Sequence, residues 1–210
     1  MKNILIIILI PLVHFCKNDS LNSKKEAVKT MEQQANEVAI LANGCFWCTE
    51  AIFQQLRGVV KVEPGYIGGD VDNPTYEQVC TGTTHHAEAL RIEFDNRLLS
   101  YDDLLEVYFA THDPTTLNRQ GADVGTQYRS EIFYLDEKQK ASAEKAIKQL
   151  NDEHVFGKPI VTKISAATKF WVAENYHHDY FKNNPNQPYC AAVISPKVQK
   201  FMKTFSDKIK

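Results

Sequence analysis

The sequence lacks any apolar run approaching the ~20 residues that a membrane-spanning helix needs; its N-terminal run, Ile4 to Val13, is short and interrupted by Pro11. It also lacks an excess of one charge. With 24 Lys and Arg against 26 Asp and Glu, nothing supports a nucleic-acid-binding surface. Glycine and proline are sparse, at 9 and 8 of 210 residues, which excludes a collagen-like chain, and 43% hydrophobic residues argue against disorder. There is no internal repeat and no low-complexity tract. Five cysteines are too few for a disulfide scaffold of this length and their number is odd, so chemistry or isolated burial explains them better than stapling. The length predicts one compact domain plus some excess.

The excess lies at the N-terminus. Met1-Lys2-Asn3 followed by the apolar run looks like a bacterial export signal, and Cys16 sits where a lipoprotein signal places its acylated cysteine. His14 and Phe15 are larger than the residues such signals carry there. The reading divides the chain into a signal-like or lipoprotein-like segment at 1–16, a polar tether at 17–36 and a catalytic domain at 37–210. It predicts a lipid anchor at Cys16 and a location in the cell envelope or periplasm. The alternative is a cytoplasmic protein with an uncleaved apolar tail.

Within the domain, Val38 to Ala42 reads as a buried strand ending in the Asn43-Gly44 turn. A helix is expected next, with Phe46, Ala51, Ile52 and Leu56 at helical spacing and Arg57-Gly58 as its stop. Val59 to Tyr66 and His86 to Asp95 read as strands separated by the turn-rich stretch Gly68-Gly69-Asp70 to Pro74, a loop expected to be functional. Ser100-x-x-Asp103 and Asp136-x-x-Gln139 announce two further helices, to Ala110 and about Asn151. Tyr128 to Leu135 and Ile160 to Ser165 read as strands. Strands and helices that mix this irregularly predict an α+β sheet with helices packed on it.

The chemistry concentrates at Gly44-Cys45-Phe46-Trp47-Cys48, where a strand gives way to a helix. Free N–H groups and the positive end of the helix dipole favour a thiolate, so Cys45 is expected to be a nucleophile of lowered pKa. Cys48 lies one turn along, close enough to pair with it. For an arbitrary C-x-x-C the competing readings are buried structural cysteines and zinc. Zinc needs four converging ligands. The adjacent His85 and His86, near a strand, would point to opposite faces, and His177 and His178 would lie about 100° apart on a helix. Thioredoxin-like exchange competes more strongly, although Phe46 and Trp47 would crowd its open redox turn.

A second constellation lies at Thr81 to Glu88. On a strand, Glu88 would share a face with Leu90, Ile92 and Phe94, where desolvation raises a carboxyl pKa and leaves a proton to donate. A carboxylate paired with Arg or Lys is the competing reading. Tyr76 and Tyr128, at loop-to-element transitions, would add hydroxyl donors. Cys80 reads as a structural thiol at the end of a buried element.

These residues carry a resemblance to the peptide methionine sulfoxide reductase A family. Gly44-Cys45-Phe46-Trp47-Cys48-Thr49-Glu50 resembles the family's nucleophile signature. Pro64-Gly65-Tyr66, Gly68-Gly69, Asn73-Pro74-Thr75-Tyr76-Glu77 and the Thr83-Thr84 and His86-Ala87-Glu88 elements follow in family order. His112-Asp113-Pro114-Thr115, the run Gly121 to Ser130, Asn184-Pro185 and Tyr189-Cys190 extend the match, which spans about Val38 to Lys200. His85 departs from the pattern, standing where the family usually carries glycine.

The resemblance implies a single-domain α+β fold with a ferredoxin-like mixed sheet. It further implies thiol-dependent reduction of the S epimer of methionine sulfoxide, free or in proteins, in repair of oxidative damage, with no metal or organic cofactor. By that likeness Cys45 attacks sulfur and becomes a sulfenic acid, Glu88 protonates the oxygen, and Tyr76 and Tyr128 assist. Phe46 and Trp47 seat the methyl group, Asp123 supports the pocket through a water, and Cys48 or Cys190 then forms the disulfide. Cys190 falls in a segment resembling the family's mobile recycling tail. A thioredoxin-like dithiol closes the cycle for what is expected to be a monomer. General thiol-disulfide exchange and a zinc-stabilised interaction module are the alternatives.

Overall fold

The structure, a computed structural model, describes residues 36–210, so the signal-like segment, Cys16 and all but the last residue of the tether lie outside the described residues. In chain order the elements are β1 (Asn36–Asn43), α1 (Phe46–Phe53), β2 (Val59–Ile67), α2 (Tyr76–Cys80), β3 (Ala87–Asp95) and α3 (Tyr101–Thr111). Short β4 (Arg119–Gln120) and β5 (Asp123–Val124) precede a 3-10 turn at Thr126–Tyr128, then β6 (Ser130–Tyr134), α4 (Glu137–Asp152), β7 (Lys163–Ala166) and β8 (Trp171–Val172). A 3-10 turn at Asn175–His177, α5 (Tyr180–Asn183), a π-helical turn at Cys190–Ile194 and α6 (Ser195–Thr204) complete the chain. Among the described residues no helix is long and apolar enough to cross a membrane.

Six strands form one mixed sheet in the order β7-β6-β1-β3-β2-β8, the α+β architecture the sequence predicts. Only β6 and β7 run parallel. A parallel pair needs a crossover, and α4 supplies it. Alternation in β1 sends Ala39 and Leu41 to the helix-covered face, where they join Ile52, Phe53, Leu56, Leu90, Ile92 and Phe94. Ile40 and Ala42 go to the opposite face, with Ile67, Ala87, Ala89 and Phe133. Each Leu, Ile or Phe so buried contributes about 1.5–3 kcal/mol, which places the main stabilising layer between the sheet and α1, α3 and α6.

Local signals explain the helix starts. Ser100 and Asp103 form a reciprocal capping box at α3, and the Asp136 side chain accepts from Gln139 N–H at α4. A third box, Thr75 with Gln78, opens α2, the element expected to end at Cys80. Helix α1 is shorter than its spacing suggested: Gln54 and Gln55 turn away, and Leu56 forms a bridge to Ile209. The strand expected from Tyr128 begins at Ser130, because Tyr128 N–H bonds back to Gly125 O at 3.1 Å and closes a turn instead.

His85 has φ +56°, the left-handed region that glycine enters without penalty. This explains the family's usual glycine there. The exposed His85 ring partly offsets the strain by bonding Asp70 Oδ2 at 2.6 Å. His85→Gly is expected to raise stability by about 0.5 kcal/mol, left-handed relief outweighing the surface pair, and chemical denaturation checks it.

Candidate active site

Antiparallel pairing of β1 and β3, with Leu41 opposite Leu90, brings the end of β1 beside the start of β3. The chain therefore enters α1 directly above Glu88. Gly44 makes the tight turn with φ +99°, and a Cβ there would lie 2.7 Å from Gln120 Cβ. Thr49 Oγ1 donates to Asn43 Oδ1 at 2.6 Å and clamps the turn from inside the helix. Cys45 then occupies the N-cap position, buried, without a side-chain cap bond.

The first helix N–H, that of Phe46, is directed at Glu88 Oε2, 3.0 Å away. This corrects the expected electrostatics of Cys45. The donor nearest the start of the helix serves the carboxyl, and burial pushes the Cys45 thiol well above its ordinary value. The pair's lower pKa belongs to Cys48, which hydrogen bonding from Cys45, aided by the Lys197 charge, brings down to about 7. The four described cysteines are all free thiols.

Glu88 matches its expected place, 1% exposed on the face shared with Leu90, Ile92 and Phe94. Desolvation raises its pKa to about 8, against the opposing bond from Phe46 N–H. At neutral pH it holds a proton. Tyr76 and Tyr128 are half-buried in the field of Glu88, and burial raises both hydroxyls above their ordinary value, so both remain donors.

The aromatic wall is larger than the sequence suggests. Phe46 lies 4.9 Å from the His177 ring and 5.9 Å from Tyr66, and Trp47 stacks on Tyr180 at 3.7 Å. Tyr66 O–H donates to Glu174 Oε2 and Tyr76 N–H to Glu174 Oε1, both at 2.8 Å. Glu50, 2% exposed, accepts Asp179 N–H at 3.0 Å and holds the segment carrying His177 and Tyr180 onto α1; burial lifts its pKa to about 7. His177 ends a 3-10 turn and does not lie on the helix expected. His86 accepts Gly69 N–H at 3.1 Å and meets Val71 O at 2.8 Å, while His85 faces solvent, so the two diverge as expected.

Asp123 reaches the site by a direct bond: Tyr189 O–H donates to Asp123 Oδ2 at 2.7 Å, and the same hydroxyl lies 3.7 Å from Cys48 Sγ. Cys190, the next residue, is fully buried in the π-helical turn against α1, not in an open tail. Burial raises its pKa, and the nearby Cys48 charge adds to the rise. Cys80 corrects the expectation of a buried thiol. Val79 takes the core position at 0% exposure, and Cys80, at the last turn of α2, faces solvent beside Tyr76.

A mixed sheet that places a thiol at a helix N-cap beside a buried carboxyl, with a second thiol one turn away and an aromatic wall alongside, defines a cysteine-dependent redox enzyme of the α+β class. Known proteins narrow the class. The profile of the family described as peptide methionine sulfoxide reductase matches residues 37–209. The peptide methionine sulfoxide reductase MsrA of Deinococcus radiodurans is 58% identical over 193 residues, 92% of this chain and 94% of that one. That of Saccharolobus solfataricus is 55% identical over 174 residues, 83% and 97% of the two chains. Among solved structures, reduced Mxr1 of Saccharomyces cerevisiae superposes with a TM-score of 0.68 at 31% identity, covering 75% of this chain and 90% of its own. Methionine sulfoxide reductase A of Corynebacterium diphtheriae gives 0.63 at 30%, covering 72% and 76%. The chain belongs to the peptide methionine sulfoxide reductase family.

Proposed function

We propose that the protein reduces the S epimer of methionine sulfoxide, free or within proteins, using its own thiols and a dithiol donor of the thioredoxin type. The observation that carries this reading is Cys45 at the N-cap of α1 with the next N–H, that of Phe46, bonded at 3.0 Å to the buried Glu88 carboxyl, whose pKa burial raises to about 8. A sulfoxide needs a nucleophile at sulfur and a proton at oxygen, and this juxtaposition supplies both.

Cys48, the first of the pair to ionise, takes the proton of Cys45 as substrate enters. The Cys45 thiolate attacks the sulfoxide sulfur, and Glu88 protonates the oxygen with Tyr76 and Tyr128 as further donors. In the resulting adduct Cys45 Sγ is bonded to the methionine sulfur; the hydroxyl passes to Cys45 Sγ as the S–O bond breaks, the S–S bond breaks with its electron pair going to methionine, and Cys45 is left as a sulfenic acid. Phe46 and Trp47 seat the methyl group, and Asp123 orders the pocket through Tyr189. Burying one methyl contributes only about 0.8 kcal/mol, so the donors on the oxygen side set the epimer preference.

Cys48 then attacks the sulfenic sulfur, expelling water and forming the first disulfide. Its place one turn along α1, with Cys48 N–H bonded to Cys45 O at 3.1 Å, supports this order over direct attack by Cys190. Cys190 next exchanges onto Cys48, freeing Cys45 as a thiol, and the external dithiol reduces the Cys48 to Cys190 bridge. Peptide mapping after one equivalent of methyl sulfoxide, without reductant, is expected to find Cys48 joined to Cys190 in the wild type and Cys45 joined to Cys48 accumulating in Cys190→Ser. A Cys45 to Cys80 bridge, or Cys45 joined first to Cys190, would overturn the sequence of steps. Residues 1–16 support, by their composition alone, export and acylation at Cys16 in the cell envelope; mass analysis of the cell-expressed N-terminus tests this.

A further inference from the structure

His177 is fully buried, 130 positions along the chain from the Trp47 it holds. Trp47 Nε1–H donates to His177 Nδ1 at 3.0 Å. An indole nitrogen can only donate, so Nδ1 must carry the lone pair and the ring must be the neutral Nε2–H tautomer. Around that ring stand Tyr176 at 4.1 Å, Tyr76 at 4.5 Å and Phe46 at 4.9 Å between centroids. Its Nε2 has no hydrogen-bond partner among the described residues, and the nearby carboxylate oxygen of Glu174, 3.7 Å off, already accepts from Tyr66. His177 therefore has one directional bond, and that bond is to the indole.

Trp47 is otherwise located by ring contacts without directional bonds: stacked on Tyr180 at 3.7 Å, edge-on to Tyr189 at 6.1 Å and tilted against Phe46 and Tyr76 at 6.2 and 6.3 Å. Such contacts fix the plane of a ring but leave it free to slide and turn within that plane. The His177 bond removes this freedom. We propose that His177 is a positioning residue which, as the neutral acceptor of the Trp47 indole proton, sets the depth of the methyl seat and so the preference for methyl over larger sulfoxide substituents. Desolvation lowers the His177 pKa to about 4, which preserves the acceptor throughout the physiological range. Protonation would put an N–H against the indole N–H and place a cation among the wall aromatics.

The inference rests on the reductase reading and is tested with a readout of its own. In the full-length wild type, nitrogen NMR of labelled histidine is expected to show His177 with a bare Nδ1 and a protonated Nε2; the opposite tautomer would overturn the proposal without touching the reductase reading. His177→Phe keeps a ring and removes the acceptor. Its KM for methionine sulfoxide should rise about tenfold, the loss of one neutral hydrogen bond, with kcat within about twofold and with weaker discrimination against ethionine sulfoxide. His177→Asn places an amide oxygen near the position of Nδ1 and should restore most of the KM and the protected Trp47 indole proton signal. Equal damage in both variants, or unchanged KM and discrimination in His177→Phe, overturns the proposal. Lack of any methionine sulfoxide turnover by the wild type overturns the reductase reading and the specificity role with it.

Discussion

Glu88→Gln is expected to abolish most of the activity and at the same time to stabilise the protein at neutral pH. Removing a positioned general acid lowers kcat by roughly 10²- to 10³-fold, because the tyrosine hydroxyls still donate hydrogen bonds but no group delivers a full proton to the departing oxygen. The stability gain follows from linkage. In the unfolded chain a glutamate ionises near its ordinary value of 4.5, whereas burial in the fold holds the Glu88 proton up to about 8. Between those values the unfolded state releases a proton that the folded state retains, so stability falls as the pH rises from about 4.5 to about 8 and then levels. At pH 7 the loss is on the order of 3 kcal/mol, at about 1.4 kcal/mol per tenfold. Glutamine has no such loss, and its amide oxygen can still accept Phe46 N–H. Wild-type activity should decline as the pH passes 8, since the acid must be protonated to work. Denaturation and rate profiles of both proteins between pH 5 and 9 decide the matter; a glutamine variant as active as wild type, or less stable at pH 7, contradicts it.

Cys45→Ser removes turnover altogether, by at least about 10³-fold, with little change in stability. Serine fits the 8% exposed N-cap site, but its hydroxyl ionises far too high to attack a sulfoxide. Cys48 does not take over. It sits a turn deeper along α1, and its sulfur faces the Tyr189 hydroxyl. Incubated with substrate and no reductant, the variant should keep all its remaining thiols and form no disulfide. Methionine released by Cys45→Ser at more than a trace rate would show that another sulfur is the nucleophile.

The sheet and the long helices were legible because their signals are local. Alternating or continuous apolar residues marked β1, β2 and β3, and the Ser100/Asp103 and Asp136/Gln139 pairs marked two helix starts within a residue. Helix α2 was expected only as an unspecified element ending at Cys80, although Thr75 and Gln78 form a capping box at its start. Glu88 was readable from strand period alone. The ionisation of Cys45 was not, because helix position is a sequence property whereas desolvation and the diversion of Phe46 N–H to Glu88 arise only when β3 comes alongside β1. His177 was out of reach for the same reason: its meaning depends on Trp47, far away in the chain. Cys80 misled because a single apolar neighbour, Val79, was enough to suggest burial for both.

Tyr189 and Cys190 share a backbone, and this ties repair of the enzyme to vacancy of its binding seat. In the proposed cycle, bringing the Cys190 thiol onto Cys48 shifts the adjoining Tyr189 phenol, which is bonded to Asp123 and meets Cys48 Sγ. A molecule in the middle of recycling has therefore unhooked one side of its own cup, and oxidised substrate finds no complete surface to settle on. In the proposed cycle, spent copies caught in recycling hold damaged methionines poorly, and an abundance of substrate, by favouring the complete seat, is expected to slow the return to the reduced state.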